Sequence, residues 1–157
     1  MKTSDDYEET LKAYMRENGI AAEHLVFRQS TRSVAEAAQA AGVTAQDFVK
    51  NICMIDSSGT LIVGIVKGED RVSTSRVAKL LSAAEVRIAT PDEILQRTGY
   101  PCGGTPSYGY AARFLVDERV LQKEFVYTGG GSVSSLVKIK SSDLVRANQG
   151  EVVRIRK

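Results

Sequence analysis

The chain has 157 residues, of which 43% are hydrophobic, 25% charged and 6% aromatic, and its formal net charge is +2. A globular chain of this size buries roughly 68–70% of the surface its unfolded form exposes, so folding requires neither a disulfide nor a metal. One histidine, His24, and two cysteines, Cys53 and Cys102, are too few for a four-ligand zinc site and leave a nucleophile–histidine hydrolase a single base.

In chain order, Tyr7, Leu11, Tyr14 and Met15 fall at helical spacing, and Gly19 ends an N-terminal amphipathic helix within residues 1–20. Leu25–Arg28 reads as a short strand. Ser33 with Glu36 forms a capping-box pattern before an alanine-rich helix that Gly42 closes. Val49–Asp56 and Leu61–Lys67 are β-rich runs around Ser57-Ser58-Gly59, which predicts a hairpin. A helix follows over Thr74–Ser82 and a strand over Val86–Ala89. Thr90-Pro91-Asp92-Glu93 is the strongest local signal: an N-cap threonine, proline at the first helical position and glutamate at the third, with Gly99 at the far end. Beyond the loop 99–110, strands are predicted at Phe114–Val116, Phe125–Thr128 and Leu136–Ile139. A helical turn at Ser142–Arg146 and a strand at Val152–Ile155 complete the chain.

Hairpins mixed with helical crossovers place the chain in the α/β or α+β class, as one domain over 1–157 with a mixed sheet. The N-terminus has no basic, apolar leader, and the longest apolar run, Leu61–Val66, is too short to span a bilayer. The expected location is therefore the cytoplasm, with reduced thiols and no membrane partner. Residues 1–50 carry six Lys/Arg and eight Asp/Glu, and residues 51–157 carry fifteen and eleven. That asymmetry is compatible with a polyanionic partner but does not require one.

Two glycine-rich segments concentrate the candidate chemistry. One is Gly99-Tyr-Pro-Cys-Gly103-Gly104-Thr-Pro106-Ser107-Tyr-Gly109; the other is Thr128-Gly129-Gly130-Gly131-Ser132. Such loops can turn main-chain N–H groups toward a ligand, and they can equally be surface turns. Neither fits the phosphate-loop or dinucleotide patterns. In Phe48-Val49-Lys50-Asn51-Ile52-Cys53-Met54-Ile55, strand alternation puts Lys50 with Phe48, Ile52 and Met54, and Asn51 with Val49, Cys53 and Ile55. A lysine there either reaches for the rim, protects an edge or serves a site. Asp117 ends an apolar run, where capping a turn is its first reading. Cys102 reads as a loop residue lining a pocket rather than a nucleophile, and His24 as a solvated surface histidine.

The order of these features resembles the YbaK/prolyl-tRNA-synthetase-associated domain family of aminoacyl-tRNA editing domains. The resemblance is carried by a helix at Ser33–Ala41, Val49-Lys50-Asn51, the Gly103–Gly109 loop, Asp117, Gly130-Gly131 and Leu136–Leu144, over about 26–155. It implies a compact α/β domain around a mixed, partly closed sheet or barrel, and hydrolysis of the ester joining a wrong small amino acid (Cys, Ala, Ser or Thr) to a tRNA, chiefly proline tRNA. By the same resemblance Lys50 is the signature lysine and Gly103, Gly104, Pro106 and Gly109 form the pocket loop. Gly130 and Gly131 form the second loop. Asn51, Ser107 and Ser132 join them as substrate-binding candidates, with Lys50, Gly103 and Gly104 as catalytic ones. An activated ester needs a positioned water and oxyanion donors rather than a cofactor, metal or protein nucleophile. The implied partners are the acceptor end of an aminoacyl-tRNA and an aminoacyl-tRNA synthetase, not DNA. The expectation is a free-standing deacylase; a non-catalytic aminoacyl- or nucleotide-binding module is the alternative.

Overall fold

The computed structural model describes residues 1–157. The elements are α1 (Ser4–Glu17), β1 (Ala22–Val26), α2 (Val34–Ala41), β2 (Val49–Asp56), β3 (Leu61–Lys67), α3 (Thr74–Leu80) and β4 (Val86–Ile88). They continue with α4 (Pro91–Thr98), β5 (Arg113–Asp117), β6 (Phe125–Gly129), β7 (Ser135–Lys140), α5 (Ser141–Asn148) and β8 (Glu151–Val153). Short 3₁₀ turns occupy Ala45–Asp47 and Glu118–Gln122. No helix is long and apolar enough to cross a membrane.

The chain is α+β with mixed strand directions. Its strands divide into a five-stranded sheet ordered β4-β2-β3-β5-β8 and a three-stranded sheet ordered β1-β7-β6. In the larger sheet β4, β2 and β3 are antiparallel, whereas β5 runs parallel to β3 and β8 parallel to β5. The smaller sheet is antiparallel throughout. A parallel bridge between Phe48 and Tyr127 joins the two, so the partly closed sheet expected from the sequence is two sheets meeting at a seam, without a closed barrel.

β3 explains the layering. All seven residues of Leu61-Ile-Val-Gly-Ile-Val-Lys67 are buried, as a central strand covered on both faces must be. Leu61, Val63 and Ile65 join the main core with Leu11 and Met15 of α1, while Ile62 and Val66 join Met54, Leu115, Ile155 and Val77 of α3 on the opposite face. A third cluster, Ala37, Phe48 and Leu136, packs α2 over the seam.

The local signals for α4 hold. Thr90 Oγ1 accepts from the Glu93 amide, the Glu93 carboxylate accepts from the Thr90 amide, and Gly99 closes the helix in the left-handed region at φ +85°. At α2 half of the predicted capping box forms: Ser33 accepts from the Glu36 amide, but the Glu36 carboxylate accepts from the Ser30 hydroxyl at 2.6 Å instead. β1 lies at Ala22–Val26 rather than Leu25–Arg28, because pairing of Ala22 with Ile139 through Val26 with Ser135 sets its register, not its own polar sequence. α5 extends over Ser141–Asn148, longer than the single turn expected. β8 ends at Val153, because the Ile155 and Arg156 amides donate to Asp117 at 2.9 and 3.1 Å instead of continuing the ladder.

Candidate functional site

The seam between the sheets opens into a cleft of about 410 Å³. Its lining includes Phe48 just ahead of β2, Lys50 and Asn51 of β2, Thr31 and Arg32 ahead of α2, Gly103 and Thr105 of the first glycine loop, and Thr128 and Gly129 of β6. Strand alternation gives this stretch two jobs there. Val49, Cys53 and Ile55 enter the main core, while Phe48 packs under α2.

Asn51 ties the walls together. Its amide nitrogen donates to the Thr105 carbonyl and to Thr128 Oγ1, both at 2.9 Å, and its Oδ1 accepts from Ser107 Oγ at 2.7 Å. Ser107 Oγ and Thr128 Oγ1 are themselves 2.7 Å apart. The four side- and main-chain groups satisfy one another in a half-buried network, which fixes the first loop against β2 and β6.

The two glycine segments, far apart in sequence, pack as one unit. Gly131 N–H donates to the Gly104 carbonyl at 2.8 Å. A Cβ on Gly104 would stand 2.5 Å from the Ser132 carbonyl oxygen, and one on Gly129 would collide with the Thr105 carbonyl. Backbone touches backbone at both points, so only glycine fits. Gly103 has φ +92°, and a Cβ there would also meet the Arg32 side chain.

This packing uses up several amides that the sequence offered as ligands. Gly104 N–H donates to the Pro101 carbonyl, Gly130 N–H to Ser135 and Gly131 N–H to Gly104. The Gly103 and Thr105 amides, on residues that line the cleft, make no internal hydrogen bond. Ser132 is fully buried: its hydroxyl donates to the Glu8 carboxylate at 2.6 Å and lies 2.7 Å from Ser135 Oγ. It therefore anchors the second turn to α1, away from the lining. Pro106 and Ser107 are buried, and Gly109, at φ +99°, stands where a Cβ would touch the Tyr14 ring at 3.6 Å.

Of the residues proposed from sequence, Lys50, Asn51 and Gly103 line the cleft; Gly104, Pro106, Ser107, Gly130, Gly131 and Ser132 stand behind the lining, while Gly109 faces a second cavity beside Tyr14 and Asn148 and does not reach the cleft. Sequence reasoning missed Arg32, Thr31, Thr105 and Thr128 as lining residues. Thr105 and Thr128 sit inside or beside the glycine segments, which was the available signal. Thr31 and Arg32 reach the cleft only through α2 packing, and nothing local marks them.

The charges on the lining are all positive. Lys50 and Arg32 form no ion pair, and no aspartate, glutamate or histidine lines the cleft. Burial lowers the Lys50 pKa and the Arg71 charge lowers it further, against a smaller opposite effect of Asp70. Cys102 is exposed in the lining, whereas Cys53 is buried, and that burial pushes its thiol up to about 12, the neighbouring Cys102 adding to the effect. No group of three or more His, Cys, Asp or Glu side chains is placed so that it could hold a metal ion.

Two other residues singled out in the sequence have structural partners. Asp117 is fully buried; it accepts from the Arg119, Ile155 and Arg156 amides and pairs with the Arg156 guanidinium at 3.0 Å. Its burial alone would raise its pKa, but these donors outweigh it and the pKa is lowered. His24 is not the solvated surface residue expected: it is half-buried, and its Nε2–H donates to the Gly130 carbonyl at 2.7 Å, bracing the second glycine turn.

The aminoacyl-tRNA editing domain model matches residues 28–147, within the stretch over which the sequence motifs run. A proline–tRNA ligase of Acidithiobacillus ferrooxidans is 28% identical over 103 residues, which are 64% of this chain and 18% of the ligase. This chain thus spans about a fifth of the length of the ligases it matches. The uncharacterized protein YwhH of Bacillus subtilis is 22% identical over 120 residues, 75% of this chain and 76% of that protein. The crystal structure of hypothetical protein APE2540 has a TM-score of 0.87 at 28% identity, covering 94% of this chain and 99% of its own. A proposed trans-editing enzyme for prolyl-tRNA synthetase shares the fold, with a TM-score of 0.89 at 24% identity over 100% and 99% of the two chains. With most of its length, the whole of the cleft-bearing strands and both glycine segments inside the matched region, the chain belongs to the aminoacyl-tRNA editing domain family.

Proposed function

We propose that the protein hydrolyses the ester between a mischarged small amino acid and the 3′-terminal adenosine of proline tRNA. On this reading it acts in trans, like the proposed trans-editing enzyme for prolyl-tRNA synthetase that shares its fold. The observation that carries it is Lys50, a half-buried cation with no counter-ion, facing a cleft whose other lining side chains include no anion. A desolvated charge left unpaired in the free protein is matched by a negative group on the ligand. The phosphate and the developing oxyanion of an aminoacyl-adenosine supply one.

An aminoacyl ester is already activated, so the protein's task is placement. Lys50 holds the phosphate-bearing end. The uncommitted Gly103 and Thr105 amides are the donors for the carbonyl oxygen as it gains charge. The Asn51–Ser107–Thr128 network keeps those amides at fixed distance from Lys50. With no carboxylate or imidazole on the lining, proton transfer falls to water and the neighbouring ribose hydroxyl of the substrate.

A deacylation panel tests the reading: purified protein against proline tRNA carrying Ala, Cys, Ser or Thr. Multiple-turnover release of at least one amino acid, lost in Lys50→Ala, is the expected result. Stoichiometric binding without turnover on all four would replace the deacylase with the non-catalytic module. A Lys50→Ala protein with full activity would remove Lys50 from the mechanism.

A further inference from the structure

The three-stranded sheet turns one face to solvent beside the cleft. The register sets Phe125 opposite Lys140, Tyr127 opposite Lys138 and Gly129 opposite Leu136, and directly opposed residues of an antiparallel pair share a face. Gly129 and Leu136 line the cleft, so the row runs outward from it through Tyr127 and Lys138 to Phe125 and Lys140. At its inner end the Tyr127 ring lies 5.2 Å from Phe48 across the seam.

At the outer end the side chains form an aromatic platform under two cations. Lys138 Nζ lies 5.3 Å from the Phe125 ring centroid and 6.0 Å from that of Tyr127, and Lys140 Nζ lies 5.9 Å from Phe125. Phe125 is nevertheless 43% exposed. Neither lysine forms an ion pair; the acid of this face, Glu23 opposite Lys138 on β1, forms none either. β6 is the edge of this sheet, but Lys138 and Lys140 stand on β7, its middle strand, where blocking unwanted pairing is not their task. Edge protection does not account for a large exposed aromatic ring held between them.

We propose that this face receives the nucleotides of a tRNA acceptor end that lead into the cleft. Bases stack on Phe125 and Tyr127, and their phosphates meet Lys138 and Lys140. The identity of the RNA rests on the function proposed above; the pairing of stacking platform with unpaired cations stands on the geometry.

The two claims separate in a binding measurement that requires no hydrolysis. Fluorescence anisotropy is read with a labelled, uncharged acceptor-stem hairpin that ends in its single-stranded 3′ terminus. Phe125→Ala is expected to weaken binding about fivefold or more. Removing both cations in Lys138→Ala/Lys140→Ala is expected to flatten the dependence of log Kd on log salt by about 1.5. Circular dichroism melting verifies that each variant folds, and the single Lys138→Glu serves if the double variant does not. Variants that bind with wild-type affinity and wild-type salt slope would overturn the proposal. So would a wild-type protein that fails to bind the hairpin, the outcome expected if a protein partner covers this face. Loss of binding in the variants, with no deacylation by the wild type, would sink the deacylase reading and leave the RNA surface standing.

Discussion

Lys50 and Asp117 stand at the same end of the five-stranded sheet. Lys50 pairs with Val66 of β3, and Asp117 follows Val116, the partner of Ile65 on the same strand. Each is a charge at the end of an apolar run, yet their surroundings are opposite. Asp117 is wrapped by three amides and a guanidinium, and every donor around it comes from this chain. Lys50 has lost part of its water and gained no acceptor. A charge that the fold satisfies organises the fold; a charge that the fold leaves unsatisfied awaits something from outside. The pair thus divides structure from site within one sheet.

The largest effect that would break this division belongs to Asp117. Asp117→Ala leaves Arg156 and two C-terminal amides without their acceptor, and we expect a loss of about 3–5 kcal/mol in urea unfolding. A midpoint equal to that of the wild type would mean that Asp117 does not hold the C-terminus. Lys50→Ala should do the reverse: deacylation falls on the order of 10²- to 10³-fold, while stability stays within about 0.5 kcal/mol of the wild type. If both quantities fell together, Lys50 would belong with Asp117 as a structural charge.

Ser107→Ala lies between the two. It deprives the Asn51 Oδ1 of its donor, which costs about 1–3 kcal/mol, and it loosens the loop that carries Gly103 and Thr105. We expect unfolding and KM both to worsen, a mixed signature that neither charged residue gives.

The pH dependences should run in the same direction, stability rising with pH in each window, but for opposite reasons. Asp117 has a lowered pKa, so its stabilisation is complete above the ordinary carboxylate value and is lost as pH falls through the lowered folded one. Lys50 has a lowered pKa too, but for a cation this means a folded state penalised while the ammonium is charged. Stability should therefore rise as pH climbs from the lowered value toward the ordinary lysine value of about 10.4. Lys50→Met should be the more stable protein at neutral pH, and urea midpoints should show that difference closing near pH 10. A constant difference across the range would show that the ammonium carries no penalty. The smallest effect belongs to Cys102→Ser, for which kcat/KM should change by about twofold or less, since no imidazole or carboxylate lines the cleft to activate the thiol. A large loss there would install a nucleophile at the site and break the view that the cleft works by placement and unpaired positive charge.

What was legible in the sequence was local or periodic. The α4 caps and the β2–β3 hairpin depend on residues within a few positions of one another. The β2 alternation assigned Lys50 and Asn51 to opposite faces without tertiary information. Asp117 as a cap was readable from its place after an apolar run, although its main donors, Ile155 and Arg156, lie 38 and 39 residues away. The glycine segments advertised a site but not their roles. That Gly104 and Gly130 spend their amides inside their own turns, on Pro101 and Ser135, is not marked by any residue type, and the Gly131–Gly104 bond and the Ser132–Glu8 anchor depend on contacts across more than twenty residues. β1 was displaced in the sequence reading because its pattern is polar and β7 alone dictates its register. The family resemblance reached further than the local rules, and the matched region carries that part of the reading.

The contact between Gly104 and Ser132, and its companion between Gly129 and Thr105, has a consequence for how such a domain can vary. The obstacles to a side chain at either glycine are main-chain atoms, which no second substitution can shrink. These two positions are therefore locked against compensation by their neighbours' main chain, whereas at Gly103 the Cβ would first meet the flexible Arg32 side chain and it is the φ of +92° that holds the glycine. Diversification of the cleft toward a different ligand must then pass through residues such as Ile94, Cys102 or Arg32, whose side chains line it, while the loop-on-loop junction behind them keeps its glycines.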